Sequence, residues 1–417
     1  NALELASGGL MKRGLGSITS GTPVFGTNTN VTIDGVYTAS TSAGTEVPAN
    51  TGTGNVILTN TGAGLFTFPA ALTANTITTS TVGNVTFSSN VTTTAAGATD
   101  VSIAAGATAG TLTFSGTLTV AGGITVAAVA KNLVAGATTV GNNPVAHGGT
   151  GDATFASLNV GTEELLVTGS AADATVTGQL TIGGLNSRTS LSNTSTGTVT
   201  VGSIVSGAPF VDASGNQAGI VQTLSNSSTG KITVNGSITE GSTIDVSESE
   251  TEYNAFDIVN SNAAGAFTIG GSSSLHGDLN NADRTGAGTT TGLILANSAT
   301  LTLNFQEDAG AALTSIGDVS GGTLVLNYAK ASEDAGDVTN GQSVTLVNNL
   351  TFGAANATLA APITEANADP VVGGNLTILA AGVYPYSFTV AGTVVIGVNG
   401  VTFDGRKGSD GSQTQAQ

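Results

Sequence analysis

The chain has 417 residues, of which only 9% are charged, with 9 Lys+Arg against 27 Asp+Glu and neither Cys nor Trp. A formal charge of −18 excludes the basic footprint that nucleic acid or an anionic membrane requires, and the lack of Cys excludes a disulfide scaffold and thiolate metal ligands. Hydrophobic residues still make up 39%, enough to bury a core, while Thr, Ser, Asn and 60 Gly stand where charged side chains would be; β-branched Thr, Val and Ile favour strands, and Gly weakens helices.

In chain order, residues 1–50 form an N-terminal segment. It begins NALELASGGLMKRGLGS, without Met or a signal-peptide pattern. The expectation is a mature chain whose leader has been removed, although an engineered start at Asn1 would look the same. Residues 2–11 read as a short helix, as do residues 127–134. A repetitive β body follows over residues 51–382. Its uncharged stretch 101–130 alternates with Thr and Gly, so it is no membrane span. Within it Leu112, Phe114, Leu118, Val120, Ile124 and Val126 share one parity and Thr111, Thr113, Thr117, Thr119 and Thr125 the other. Such alternation makes one face of a strand apolar and the other a Thr surface.

LSNTSTGTVTV from Leu191 is echoed by LSNSSTGKITV from Leu224, a shift of 33 residues, with a weaker copy from Ile258 and a degenerate one from Ile57. Each copy presents an apolar face that it cannot bury alone, so neighbours must stack. The fold class is therefore all-β, in one of two architectures. A parallel β-solenoid (β-helix) stacks coils about 4.8 Å apart. Tandem β-sandwich domains would instead join strands by hairpins every 8–12 residues or so. Few Asn-Gly or Asp-Gly turns and few aromatic residues (13 Phe, 5 Tyr) favour thin solenoid coils.

Residues 383–403 read as a C-terminal long-strand region, because Tyr384, Tyr386, Phe388, Val390, Val394, Ile396 and Val398 again share a parity, interrupted at Gly392. About sixteen residues of alternation exceed a usual strand. The segment suits donation to a neighbouring subunit; the favoured alternative is two ordinary strands bending at Gly392. The last residues, 404–417, read as a flexible tail.

The NTSTGTVTV and GTLTFSGTLTVAGG texture resembles the passenger regions of bacterial autotransporters and haemagglutinin-type adhesins, and Thr/Ala/Gly-rich S-layer proteins. Separately, PVAHGGTG (residues 144–151) is similar to a short motif of phage tail fibres. Both resemblances imply extracellular β-fibres, and neither carries a catalytic residue.

Little in the composition supports catalysis. His147 and His276 are the only histidines, and both read as solvated loop residues; a zinc site of three His/Cys ligands is impossible within one chain. A carbohydrate-active β-helix would need acids beside Arg or Lys, yet there are only four Arg (Arg13, Arg188, Arg284, Arg406) and no Trp to stack on sugars. No cofactor is implied beyond calcium. Its candidates are Glu248, Glu250 and Glu252, which alternate along one strand face, and the cluster Glu333, Asp334 and Asp337. Nine Asn-x-Ser/Thr sequons, including Asn84, Asn90, Asn193, Asn226 and Asn375, are what so Asn/Thr-rich a chain supplies by chance.

These readings converge on a non-enzymatic, secreted structural protein whose partners are copies of itself in a surface layer or filament. The alternative is an adhesin binding a cell-surface receptor or glycan, with specificity in the irregular residues 242–257 and 275–291.

Overall fold

The computed structural model describes residues 4–5, 10–13, 24–25, 30–35, 40–44, 47–60, 62, 64–80, 83–95, 97–104, 110–127, 131–141, 143–160, 164–169, 171, 173–182, 188–206, 210–211, 217–218, 221–244, 251–275, 279–281, 292–305, 317–328, 344–345, 350–351, 356–359, 363–365, 371–372, 374–379, 381–384 and 388–403. All regular structure among them is β, and nearly every strand pairing is parallel. The parallel β-solenoid is the fold. The two expected helices are not there: Glu4–Leu5 and Leu10–Arg13 are strands, and Asn132 opens the strand Asn132–Val140. In Asn132–Val140 the inward Leu133, Ala135 and Val140 are buried in register with neighbouring coils, and that pairing outweighs the helix propensity of scattered Ala and Leu.

The chain divides into two compact units, residues 1–183 with 194–202, and residues 184–193 with 203–417. In the first, each turn of chain lays down three short strands on three faces. One full turn is Phe66–Phe68, Leu72–Ala74 and Ile77–Thr79. All three strands bury their first and last residues and turn the middle one, a Thr, outward. A three-residue strand with period 2 has no other way to put two side chains inside.

Successive turns stack in register. On the first face Phe66, Val85, Leu112, Leu133, Ala153 and Ala174 lie over one another. The second face carries Leu72, Val91, Leu118, Thr138, Leu158 and Leu180. On the third, Val31, Val56, Ile77, Val101, Ile124, Val145 and Leu165 form the column. A turn of the first face takes 19 to 27 residues, the variation falling in the corners. Phe68, Phe87 and Phe114 stack with ring centroids 4.4 and 4.9 Å apart.

Corners break the backbone ladder, and asparagine side chains repair it. The Oδ1 of Asn84 accepts from the Thr111 amide (2.8 Å), that of Asn90 from Thr117 (3.0 Å) and that of Asn132 from Asp152 (2.9 Å). Each thus satisfies a donor one coil further on. At the first-to-second face corner Gly136 sits directly over Gly116, and a Cβ there would lie 2.4 Å from the Gly116 carbonyl oxygen.

The second unit contains the repeat. Leu191, Leu224, Ile258 and Leu279 are in register, as are Asn193, Asn226, Asn260 and Asn281. The 33-residue shift is therefore one coil. Another column of this unit runs Ser273, Leu301, Leu324, Ala357, Leu376 and Val394. Antiparallel pairing interrupts the pattern twice, between Phe210–Val211 and Gln217–Ala218, and between Gly241–Ile244 and the start of Thr251–Asn260. These two excursions lie beside each other through Gln217–Ala218 and Gly241–Ile244.

Candidate functional site: the C-terminal coil and the buried polar groups

The seven same-parity residues near the C-terminus do not line one strand. The segment winds through Gly382–Tyr384, Thr389–Val390, Val394–Ile396 and Val401–Phe403. Gly392 makes the bend between the two middle strands, where a Cβ would meet Asn375 Oδ1 at 2.4 Å and the Gly374 oxygen at 2.7 Å. Tyr384 is fully buried, and its ring meets Phe388 and Phe403 at centroid distances of 6.2 and 5.9 Å. Burial pushes its phenol up to about 12. Phe388, Val390 and Val398 are half-buried, and Tyr386 lies outside the described residues.

Val394 and Ile396 are different. They occupy the positions that Leu376 and Ile378 hold one coil earlier. Leu376 and Ile378 are 0% exposed, whereas Val394 is 46% and Ile396 50% exposed. Among the described residues none stacks on the later pair. Val395, which continues an outward column of Thr302, Val325, Thr358 and Thr377, is also exposed, and so is Phe403. Among the described residues, Thr389–Val390, Val394–Ile396 and Val401–Phe403 each pair through one edge only. From Pro370 to Phe403 the sequence has no charged residue. The result is an uncharged apolar coil with one unpaired edge on each of three strands among the described residues.

Three ionisable groups lie inside the first unit. His147 is on the strand Val145–His147, stacked between Val126 and Val167, and is 0% exposed. The reading of a solvated loop histidine is thus corrected: the alternation Val145-Ala146-His147 points its ring inward. No hydrogen bond of good geometry reaches either ring nitrogen, although the backbones of Gly151, Asp173 and Val126 lie close enough to favour its charged form. Burial lowers its basicity, an effect only partly opposed by the Gly151 backbone and the Asp152 charge. PVAHGGTG holds the strand Val145–His147 and then a corner in which Gly151 lies against Lys131: a Cβ there would come 2.3 Å from the Lys131 oxygen.

Lys131 is also fully buried, its Nζ donating to the Gly83 oxygen at 2.8 Å, and desolvation lowers its ammonium from 10.5 to about 8. The Asp100 carboxylate accepts from Thr93 Oγ1 and the Gly122 amide at one oxygen, while its other oxygen is unpartnered. Burial raises its carboxyl above the usual range despite those donors. Nothing in the local sequence marks Lys131 or Asp100 as interior; Lys131 lies in the stretch 127–134 expected to be a short helix.

In the second unit Asn193, Asn226 and Asn260 form a fully buried ladder. Asn226 Nδ2 donates to Asn260 Oδ1 (3.0 Å) and to the Gly230 oxygen (3.0 Å). Asn193 Nδ2 reaches the Lys231 oxygen at 3.2 Å. The sequence shows Asn193 and Asn226 only as sequons, although their recurrence at one position of the repeat was the clue to a ladder.

Of the calcium candidates, Glu252 lies on Thr251–Asn260 opposite Thr243. Glu248, Glu250, Glu333, Asp334 and Asp337 fall outside the described residues, as does His276. No group of three His, Asp or Glu placed to hold a metal occurs among the described residues, and no described helix is long and apolar enough to cross a membrane. No family model, curated protein or solved structure matches the chain.

Proposed function

We propose that this chain is a structural subunit that assembles with copies of itself into an extracellular layer or filament. The observation that supports this best is the continuous parallel stacking of coils in register, a repetitive body in which like strands pair with like. A low-charge, hydroxyl-covered exterior over continuous backbone ladders suits a material whose role is endurance rather than turnover. Negative-stain images of the purified protein across salt and calcium concentrations test the reading. Sheets or fibres are expected; monodisperse single chains under every condition overturn it.

A second reading, an adhesin or fibre module, is favoured by one specific observation. The paired antiparallel excursions at residues 210–218 and 241–254 depart from the coil pattern, as binding elements on rigid scaffolds commonly do. Replacing residues 245–250 by a short Gly/Ser linker should abolish attachment to a host surface while leaving assembly intact. Lost assembly with unchanged attachment counts against it.

A further inference from the structure

Among the described sequons, Asn193 and Asn226 are held in the buried ladder. The Oδ1 atoms of Asn30, Asn84, Asn90 and Asn375 accept the backbone amides of Asn55, Thr111, Thr117 and Thr393. Asn235 differs. It is exposed, in the bend between the strands Lys231–Val234 and Ile238–Thr239, and among the described residues no hydrogen bond holds its side chain. Gly236 follows it, and its N–H also donates to nothing among the described residues. We propose that Asn235 is a site of spontaneous covalent modification, converting to isoaspartate and so loosening the corner on which Gly270 and Gly271 of the next coil rest.

The reaction needs water and no enzyme. The Gly236 nitrogen attacks Asn235 Cγ, a C–N bond forms as the Cγ–Nδ2 bond breaks, and the proton of the attacking nitrogen leaves with Nδ2 as ammonia. Water then opens the five-membered imide. Attack at Cγ gives aspartate on an unaltered main chain, whereas attack at the main-chain carbonyl carbon routes the chain through Cβ and Cγ as isoaspartate. The net change is amide plus water to carboxylic acid plus ammonia. Gly236 has no Cβ to obstruct the approach. Asn90 and Asn375 fail both requirements: their side chains are engaged, and the next N–H, of Val91 or Leu376, donates to the Thr117 or Thr393 oxygen at 2.9 Å.

The corner has no room for the added main-chain carbon. Gly270 N–H donates to the Val234 oxygen at 2.7 Å and Gly271 N–H to the Gly236 oxygen at 2.8 Å. A Cβ at Gly271 would lie 2.7 Å from the Gly236 carbonyl carbon, and one at Gly270 would run into the Asn235 oxygen. Lengthening the chain between Asn235 and Gly236 therefore moves the Gly236 carbonyl off its donor, and the new carboxylate adds charge to a neutral bend.

The full chain is aged in mildly alkaline buffer and mapped by peptide mass spectrometry, with isoaspartyl methyltransferase labelling to identify the rerouted product. Asn235 should convert and become labelled while Asn90 and Asn375 stay intact. Asn340–Gly341 and Asn399–Gly400 share the dipeptide, and mapping reads each separately. In the aged chain the Gly270 and Gly271 amides should exchange hydrogen at least about tenfold faster than in the fresh one. Asn235→Gln aged in the same way should keep the fresh-chain protection, and so should fresh Asn235→Asp, which adds the charge without the carbon. An Asn235 that stays intact while Asn399 converts overturns the proposal, as does conversion of Asn90 or Asn375 at the same rate. Equal loss of protection in aged Asn235→Gln, or loss in fresh Asn235→Asp, overturns the loosening by main-chain lengthening.

Discussion

His147, Lys131 and Asp100 are interior because the inward parity of a strand or corner leaves their side chains nowhere else to go, and burial then favours the neutral form of each. For His147 the folded state binds its proton less readily than the unfolded state, whose value is near 6.5. Its contribution to stability is therefore complete above about pH 6.5 and is lost as the pH falls below that value. Urea titrations of His147→Leu and the native chain at pH 7.5 and 5 should show a smaller acid-induced fall in the variant; equal falls would place the imidazole in contact with water. Lys131 has the same sign at higher pH. Its folded value, about 8 against 10.5, means stability is lost as the pH falls from 10.5 towards 8, leaving a penalty of about 3 kcal/mol at pH 7. Lys131→Met forfeits the bond to Gly83, worth about 1 kcal/mol. It should still stabilise the chain at pH 7, with the gain vanishing near pH 10.5, as read by thermal melts at the two pH values. Asn193 and Asn226 are sequons on paper but 0% exposed, so the folded chain presents neither to a glycosyltransferase.

Many of the elements are three-residue strands, too short to persist alone and held by their partners in neighbouring coils. Side-chain ladders add specificity to this repetition. The Asn ladder fixes the register of Val221–Asn226 on Thr251–Asn260, since a slip by one residue would carry Asn226 away from Asn260 and turn Leu224 outward. Asn226→Ala removes the donor that serves Asn260 Oδ1 and the Gly230 oxygen and leaves those acceptors buried. A loss of about 2–3 kcal/mol is expected, measured by equilibrium denaturation. A corner Asn such as Asn90, exposed and satisfying one amide, should cost no more than about 1 kcal/mol on the same substitution. Much of this was legible. The even-numbered apolar residues from Leu112 to Val126 are the buried ones, and the Leu191/Leu224 repeat is one coil in register. The corners were not legible: Asn, Gly and Asp read alike as turn residues whether they face water or close the interior.

For the whole molecule, stacking means that stability is chiefly a sum of nearest-neighbour terms. Removing residues 382–417 strips the last coil and uncovers Leu376 and Ile378, which are now buried. Hydrogen exchange should then show at least about tenfold faster exchange over residues 356–378, with protection over residues 56–167 unchanged. A global rise in exchange would mean that the solenoid unfolds as one cooperative body. The same logic explains the C-terminal end. The alternation at residues 384–398 suggested a strand long enough to donate, but Gly392 and the corners divide it among separate faces.

What the sequence determined by itself is local. Period-2 alternation makes strands with an apolar side and a hydroxyl side, and a repeat of 33 residues demands stacking of like on like. What only the tertiary structure decided is which positions have a coil on both sides. Val394-Val395-Ile396 and Leu376-Thr377-Ile378 have nearly the same pattern, yet one pair of inward residues is buried and the other half exposed. Burial depends on the next coil, and no residue's own sequence neighbours report whether that coil is there. His147 illustrates the converse, a residue polar in sequence and interior because Val126 and Val167 lie on either side of it.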